Sequence, residues 1–397
     1  MAMTDRVVIL GASDLQLPLI EKAKSLGFET HVFAWAANDV GEKAADVFHP
    51  ISLTETEAIL RVCRELRPAA IATIASDLAV VTATRVGQAL GLPGNPPETA
   101  VLASNKAAMR DAFQRAGLST PWHWKIRQGD PLPPASLLPF PLIVKPTDRS
   151  GSRGIFRLET PEGLAEAVAF AQGESFERAA ILEEYIEGKE YSCECISEAG
   201  RHIALAITEK YTTGAPHFIE IGHIQPSGLL SETEERVRCA VFRALDALQI
   251  RTGASHTEFR ITPQGEIRLI ETGARMGGDC IGSDLVPRTT GFDYVKMVLY
   301  AALGRPLDRT RILWPAPAAA VRYLLNQKDL EHYEWLKRER PETVLREHIH
   351  FDPSAPVTDS ASRKGFYILQ ASSREQAQQL ADLRDNPEEK DSEERES

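Results

Sequence analysis

The sequence predicts an α/β and α+β protein, with a parallel-sheet domain followed by antiparallel hairpins, and three stretches carry that expectation. Residues 6–10, a helix-like run at 15–26 stopped by Gly27, and a second apolar strand at 30–34 make a βαβ opening, which builds parallel sheets. Residues 142–146 form an apolar strand ending in Lys145 and Pro146, and a Gly/Ser-rich loop separates it from a further strand at 155–158. Residues 257–262 and 266–272 are rich in β-formers and flank Pro263-Gln264-Gly265, which reads as a hairpin.

That hairpin organises the chemistry. With Gln264-Gly265 as a two-residue loop, Thr262 faces Ile267, and counting outward Glu258 faces Glu271. Directly opposed residues share one face of an antiparallel pair, their Cβ atoms about 5 Å apart. Two carboxylates that close repel. Either one is protonated or a cation lies between them. A hard dication resolves this most simply, and Mg²⁺ usually completes its shell with substrate phosphates and water. The competing reading is a solvated hairpin with two exposed Glu. Replacing Glu271 by Gln would relieve the repulsion, so folding stability should hold or rise. Arg275 follows in a Gly-rich turn, where it could meet an anion held by the metal.

Composition narrows the class. The 397 residues are 43% hydrophobic and 25% charged, ordinary for a globular chain, with a net charge of −11 that argues against general nucleic-acid binding. Five scattered cysteines show no zinc spacing and read as reduced thiols. No charged-then-apolar leader and no membrane-length apolar run is visible, so a cytoplasmic location is expected. Residues 385–397 are polar and charged, and disorder is expected there.

The remaining elements follow in order. Residues 59–66, 69–74 and 80–90 continue the α/β alternation. A dinucleotide fingerprint would need three glycines in the first turn and an acid ending the second strand, but Gly11 stands alone and Trp35-Ala36 occupies the acid's place. The carboxyl ends of these strands could still shape a small-substrate site. The Gly/Pro-rich segment 91–97 marks a boundary. Asn105 opens a helix at 106–115, and Lys106 at its start opposes the macrodipole, which suggests an anionic partner. The loop 147–154 can fold backbone N–H groups over phosphates, although it precedes a strand and so lacks the Walker pattern. Residues 179–196 read as strand, polar link, strand. A backbone edge at 184–186 could pair with an adenine edge, and Glu190 could accept ribose hydroxyls. A strand at 205–210, a loop at 212–216, helices at 236–248, 293–303 and 374–383, and strands at 315–324, 343–350 and 365–371 complete the chain.

Taken in order, Lys106, Lys145, the small-residue loop, Glu183-Glu184-Tyr185-Ile186, Glu190, Glu258, Glu271 and Arg275 resemble the ATP-grasp superfamily of carboxylate–amine ligases. The resemblance covers about residues 5–384 and is strongest to the branch with L-amino-acid ligases, carnosine-synthase-like enzymes and the carbamoyl-phosphate-synthase-like group. It implies an ATP-grasp fold with a Rossmann-like pre-ATP-grasp domain (1–97), a linker helix and lid subdomain (98–186) and a catalytic core with a C-terminal mixed sheet (187–384). It further implies that Lys106 and Lys145 contact the nucleotide phosphates. Ser150, Gly151, Ser152 and Gly154 would close over them. Glu184, Tyr185 and Ile186 would hold adenine and Glu190 the ribose, with Glu183 also among the nucleotide-binding residues. Glu258 and Glu271 would ligate Mg²⁺, with Mn²⁺ an alternative, and Arg275 would stabilise the acyl-phosphate. In the resembling ligases the segment 217–223 lies near the acyl site, so Glu220 could hold an α-ammonium and His223 a substrate carboxylate or the attacking amine's proton. Gly273 stands where the family often has Asn, which leaves the number of metals open.

The function expected is ligation of a small carboxylic acid, of the amino-acid class, to an amine, with ADP and phosphate released. A purine-pathway or carboxylase-type ligase is the alternative in the same fold, and a catalytically lost ATP-binding regulator the alternative from another class. Small-molecule substrates are expected and nucleic acid and membrane are not. A homodimer is allowed.

Overall fold

The computed structural model describes residues 5–215, 218–310 and 317–383. His217, the first part of the strand expected at 315–324, and the tail from 385 lie outside the described residues.

The N-terminal strands β1 (Arg6–Leu10), β2 (Glu29–Ala34), β3 (Val47–Pro50) and β4 (Ala70–Ala72) form a parallel sheet in the order β3-β2-β1-β4. The unbroken apolar run of β1 follows from burial on both faces. Val7 and Ile9 enter a core with Ile20 and the helix Tyr294–Ala302, while Val8 and Leu10 enter another with Phe33, Ile59 and Val86. The first of these cores ties the parallel sheet to the rest of the molecule. Beyond β4, Ser76 caps the helix Asp77–Ala89, its side chain accepting from the Ala79 N–H at 3.3 Å.

A second sheet, antiparallel, orders β5 (His123–Arg127), β6 (Leu142–Pro146), β7 (Phe156–Leu158) and β8 (Ala179–Glu184) as β5-β8-β6-β7. The helix Leu164–Glu174 covers it. Neither β5 nor this helix is among the elements expected from sequence. β5 buries only Ile126, and the helix packs largely through Ala167 and Ala171, short side chains that leave a weak periodic signal.

The third sheet has eight strands, β9 (Lys189–Glu198), β10 (Arg201–Thr212), β11 (Glu220–Gln225), β12 (Gly253–Ile261), β13 (Ile267–Gly273), β14 (Ala318–Tyr323), β15 (Val344–Ile349) and β16 (Gly365–Ala371). Their order is β13-β12-β9-β10-β11-β14-β16-β15, and the neighbours pair antiparallel throughout, where a mixed sheet was expected. The helix Ser231–Ala247 packs on the face carrying Cys193 and Cys195, whose thiols are free and 3.7 Å apart. Among the described residues no helix is long and apolar enough to cross a membrane.

The β12–β13 hairpin corrects one expectation and meets another. Ile261, not Thr262, pairs with Ile267, and the Thr262 N–H donates to Glu266 O at 3.0 Å across a three-residue loop. Gly265 supplies that loop's left-handed residue, at φ +78°. A bulge then leaves Ile270 unpaired between Leu269 and Glu271, which moves the register back by one. Glu258 therefore faces Glu271 as expected.

Candidate active site

One cleft of about 430 Å³ is lined by the two antiparallel sheets and by Leu15, Ala75 and Asp77 from the segments that follow strands of the parallel sheet, and it collects the residues singled out from sequence with the exception of Gly154. Gly154 backs onto Pro146 instead, where an added Cβ would come within 3.1 Å of the ring.

The opposed carboxylates already hold cations, and these are lysines. Glu271 Oε1 accepts from Lys106 Nζ at 2.8 Å, while Glu258 pairs with Lys210 and lies 3.2 Å from His256 Nε2. Lys106 also donates to the Arg149 carbonyl at 2.7 Å and is only 4% exposed, so its place at a helix start is offset by these two oxygens. The repulsion that was to be relieved by Glu271→Gln is thus already cancelled. Burial would raise the Glu258 carboxyl, yet Lys210 and His256 hold it well below the usual range. Burial pushes His256 down, but Glu194 on Nδ1 and Glu258 on Nε2 lift it to about 9. Two hard carboxylates that each accept a cation fit a divalent ion chemically. Among the described residues no group of three Asp, Glu, His or Cys side chains is placed to ligate one. Such an ion would draw the rest of its shell from phosphate oxygens and water.

Lys145, at the end of β6, is buried on Glu183 of β8, Nζ to Oε2 at 2.7 Å. Arg110 Nε lies 2.9 Å from the other Glu183 oxygen. Burial and the neighbouring Arg110 and Lys106 charges push the Lys145 ammonium down, and Glu183 pulls it back up. Glu183, expected among the nucleotide-binding residues, is thus taken up by Lys145 and Arg110.

The hinge after β8 is less open than expected. The Glu184 N–H donates to Trp122 O at 3.1 Å and the Tyr185 N–H to Pro141 O at 2.9 Å, while Ile186 O accepts from Arg260 at 2.8 Å. A base could therefore meet only part of this backbone. Arg157 and Arg260 cover the Tyr185 ring, 4.2 and 5.2 Å from its centroid. Glu190 is held by Lys210 at 3.0 Å and Arg260 at 2.9 Å, so it would bind ribose hydroxyls only while sharing these cations. In the loop after β6, Gly151 and Ser152 are both left-handed, φ +74° and +56°, and Ser152 Oγ donates to Phe218 O at 3.1 Å.

Arg275 is held from the N-terminal part of the chain, by the first residue of the helix after β4. Its Nε and Nη2 donate to the two Asp77 oxygens at 2.9 and 3.0 Å. At Gly273 an added Cβ would stand 2.8 Å from Asp77 Oδ1, so a side chain at the position expected for Asn requires the Asp77 carboxylate to move.

At the far end of the cleft lie Glu220 and His223 of β11. Glu220 accepts from the Ser360 hydroxyl and is 4.0 Å from Arg363. His223 is 1% exposed, burial keeps it neutral, its Nε2 is 3.6 Å from Asp279, and its Nδ1 has no hydrogen-bond partner. Arg363 grips Asp279 with two nitrogens at 2.7 and 3.0 Å and stacks over Tyr323 at 3.6 Å. Burial would raise the Asp279 carboxyl, but Arg363 and His223 hold it far below the usual range. Its contribution to stability is therefore complete above the unfolded carboxylate value, about 4, and is lost as pH falls into stronger acid. Asp279→Asn is expected to cost about 1–3 kcal/mol at pH 7 and to weaken the acid-induced loss of stability, read from melting midpoints between pH 7 and pH 3. A mutant with the wild-type acid limb would count against the pair.

Sequence reasoning missed Asp77, Lys210, His256, Asp279 and Arg363. Lys210 lies two residues before the end of β10 and Asp77 follows a capping Ser, both weak signals. Nothing local marks Arg363.

Residues 138–284, which span Lys145 to Arg275 but not Lys106, match the ATP-grasp domain family. The chain is 27% identical over 332 residues to carnosine synthase 1 of Gallus gallus, covering 76% of this chain and 35% of that one. It is 27% identical over 274 residues to alanine–anticapsin ligase of Bacillus subtilis (strain 168), covering 60% of this chain and 58% of that one. The crystal structure of an L-amino acid ligase from Bacillus licheniformis matches with a TM-score of 0.79 at 24% identity, over 96% of this chain and 98% of that one. The chain thus spans less than two thirds of the length of the curated relatives it matches.

Proposed function

We propose that this chain is an ATP- and Mg²⁺-dependent ligase that activates a small carboxylic acid, of the amino-acid class, as its acyl-phosphate and joins it to an amine. The observation that carries this reading is a single cleft shared by Lys106, Lys145, the Glu258/Glu271 pair, Arg275 and the acidic Glu220. The names of the alanine–anticapsin ligase and the L-amino acid ligase support the amino-acid class.

A carboxylate is a poor acyl donor. Attack by its oxygen on the γ-phosphorus expels ADP and creates a good leaving group. The amine then attacks the acyl carbon, phosphate leaves, and the amine gives up a proton. Such a transfer needs charge neutralisation and in-line positioning more than covalent help. Lys106 and Lys145 can turn from Glu271 and Glu183 toward phosphate oxygens. Glu258 and Glu271 would hold Mg²⁺, which neutralises charge on those phosphates. The loop 150–154 would cover them and keep water from the acyl-phosphate. Arg275 would steady the charge on the acyl-phosphate and on the tetrahedral species that follows it. His223, neutral through burial, is in the state that accepts the amine's proton.

The test is ADP release with ATP·Mg²⁺ over pairs of amino acids. Release that requires both an acid and an amine is expected, and a screen in which no pair exceeds ATP alone would reject the ligase reading. With a responsive pair, Glu220→Ala is expected to raise KM for the amino substrate by about 10- to 100-fold, the worth of a charge-assisted hydrogen bond, and to leave KM for ATP unchanged. Equal effects on both constants would place Glu220 outside the substrate end of the cleft.

A further inference from the structure

We propose that Asp77, the first residue of the helix after β4, is the positioning residue for Arg275, and that Gly273 is glycine because Asp77 fills the space a side chain would need. This rests on the ligase reading for its kinetic consequence, though not for its geometry.

Three observations converge on it. The first is the two-point contact, at 2.9 and 3.0 Å. Two parallel bonds fix the plane of a guanidinium that hangs on a flexible stem. They use Nε and Nη2, while Nη1 makes a long 3.4 Å contact to Met276 O. Asp77 and Arg275 both line the cleft.

The second is space. A Cβ at Gly273 would approach Asp77 Oδ1 to 2.8 Å and Arg275 Nε to 3.3 Å. Any side chain there displaces the pair. The third is how the Asp77 turn is seated. Ala75 adopts φ +59°, a left-handed conformation that costs a non-glycine residue about 1–2 kcal/mol. Its N–H donates to Met276 O at 3.2 Å, and a Cβ on Gly278 would meet the Ala75 methyl at 3.4 Å. The turn 75–77 therefore docks on residues 273–278, and the strained residue lies at that contact. The carboxylate it presents is part-buried, which would raise it, yet Arg275 holds it below the usual carboxylate range. The placement of Arg275 is thus set by a part of the chain outside the matched ATP-grasp domain.

The experiment uses the full chain with Asp77→Asn, Gly273→Ala, Arg275→Lys and the double variant Asp77→Asn/Arg275→Lys. In the ADP-release assay with a responsive pair, Asp77→Asn should lower kcat by about 10²-fold, the usual consequence of a misplacement near 1 Å, with KM for ATP unchanged. The double variant should be no worse than Arg275→Lys alone, because Asp77 acts through Arg275. Independently, the arginine Nε–H region of a ¹⁵N-correlated spectrum should show a slowly exchanging Arg275 signal. That signal is assigned by its loss in Arg275→Lys and should be lost in Asp77→Asn and in Gly273→Ala, while ADP affinity measured by titration stays unchanged. Additive losses in the double variant, or an Arg275 signal that persists in Asp77→Asn, overturn the proposal. Should Asp77→Asn fail to fold, Gly273→Ala with the same spectrum decides. If the wild type shows no acid- and amine-dependent ADP release, the ligase reading falls and the spectrum alone judges Asp77.

Discussion

Glu271→Gln should leave a folded protein that no longer forms ADP, with a loss of at least about 10²-fold in turnover. Glutamine keeps an oxygen near Lys106 but removes the charge that both the ammonium and a divalent ion need. The sequence alone argued that stability would hold or rise, since one of two repelling carboxylates disappears. The structure reverses that sign. Lys106 is buried and holds Glu271 at 2.8 Å, so the change weakens a charge-assisted bond and should cost about 1–2 kcal/mol, with the Arg149 carbonyl still bonded to the ammonium. Steady-state ADP formation and urea denaturation on one preparation separate the two effects. A mutant with normal Mg²⁺-supported turnover would remove Glu271 from the metal site.

Glu183→Ala should be the most destabilising change in the cleft, costing about 3–5 kcal/mol. Glu183 is 2% exposed and is the carboxylate that balances both Lys145 and Arg110, themselves 5% and 0% exposed. Its removal leaves two cations in a site with little water. Lys145→Met should cost less, because Glu183 then still balances Arg110. Urea midpoints with unchanged slopes would make the comparison, and a Glu183→Ala protein within about 1 kcal/mol of wild type would mean that solvent or a rearranged neighbour takes the carboxylate's place.

Much of the site was legible because its parts are local. The Glu258/Glu271 opposition follows from alternation on either side of a turn, and Lys145 with its loop follows from a strand that ends in a basic residue. Even there the outcome was right for a partly wrong reason. The loop has three residues where two were counted, and the Ile270 bulge restored the register. What was read as a free hinge edge at 184–186 turned out to be partly paired, because the segment before β5 and the turn before β6 supply carbonyl partners that no pattern within 184–186 announces.

The sequence by itself determined most of the strands and the carboxylate pair, since these are written in alternation over a few residues or in a single turn, and it carries the order of the cationic and acidic residues directly. Only the tertiary structure decided which charge answers which. Asp77 meets Arg275 across 198 positions, Lys106 meets Glu271 across 165, and Arg363 meets Asp279 across 84. A buried charge must find an opposite charge wherever the packed sheets bring one within about 3 Å. That choice depends on how the packed elements enclose one cleft, and no local pattern contains it.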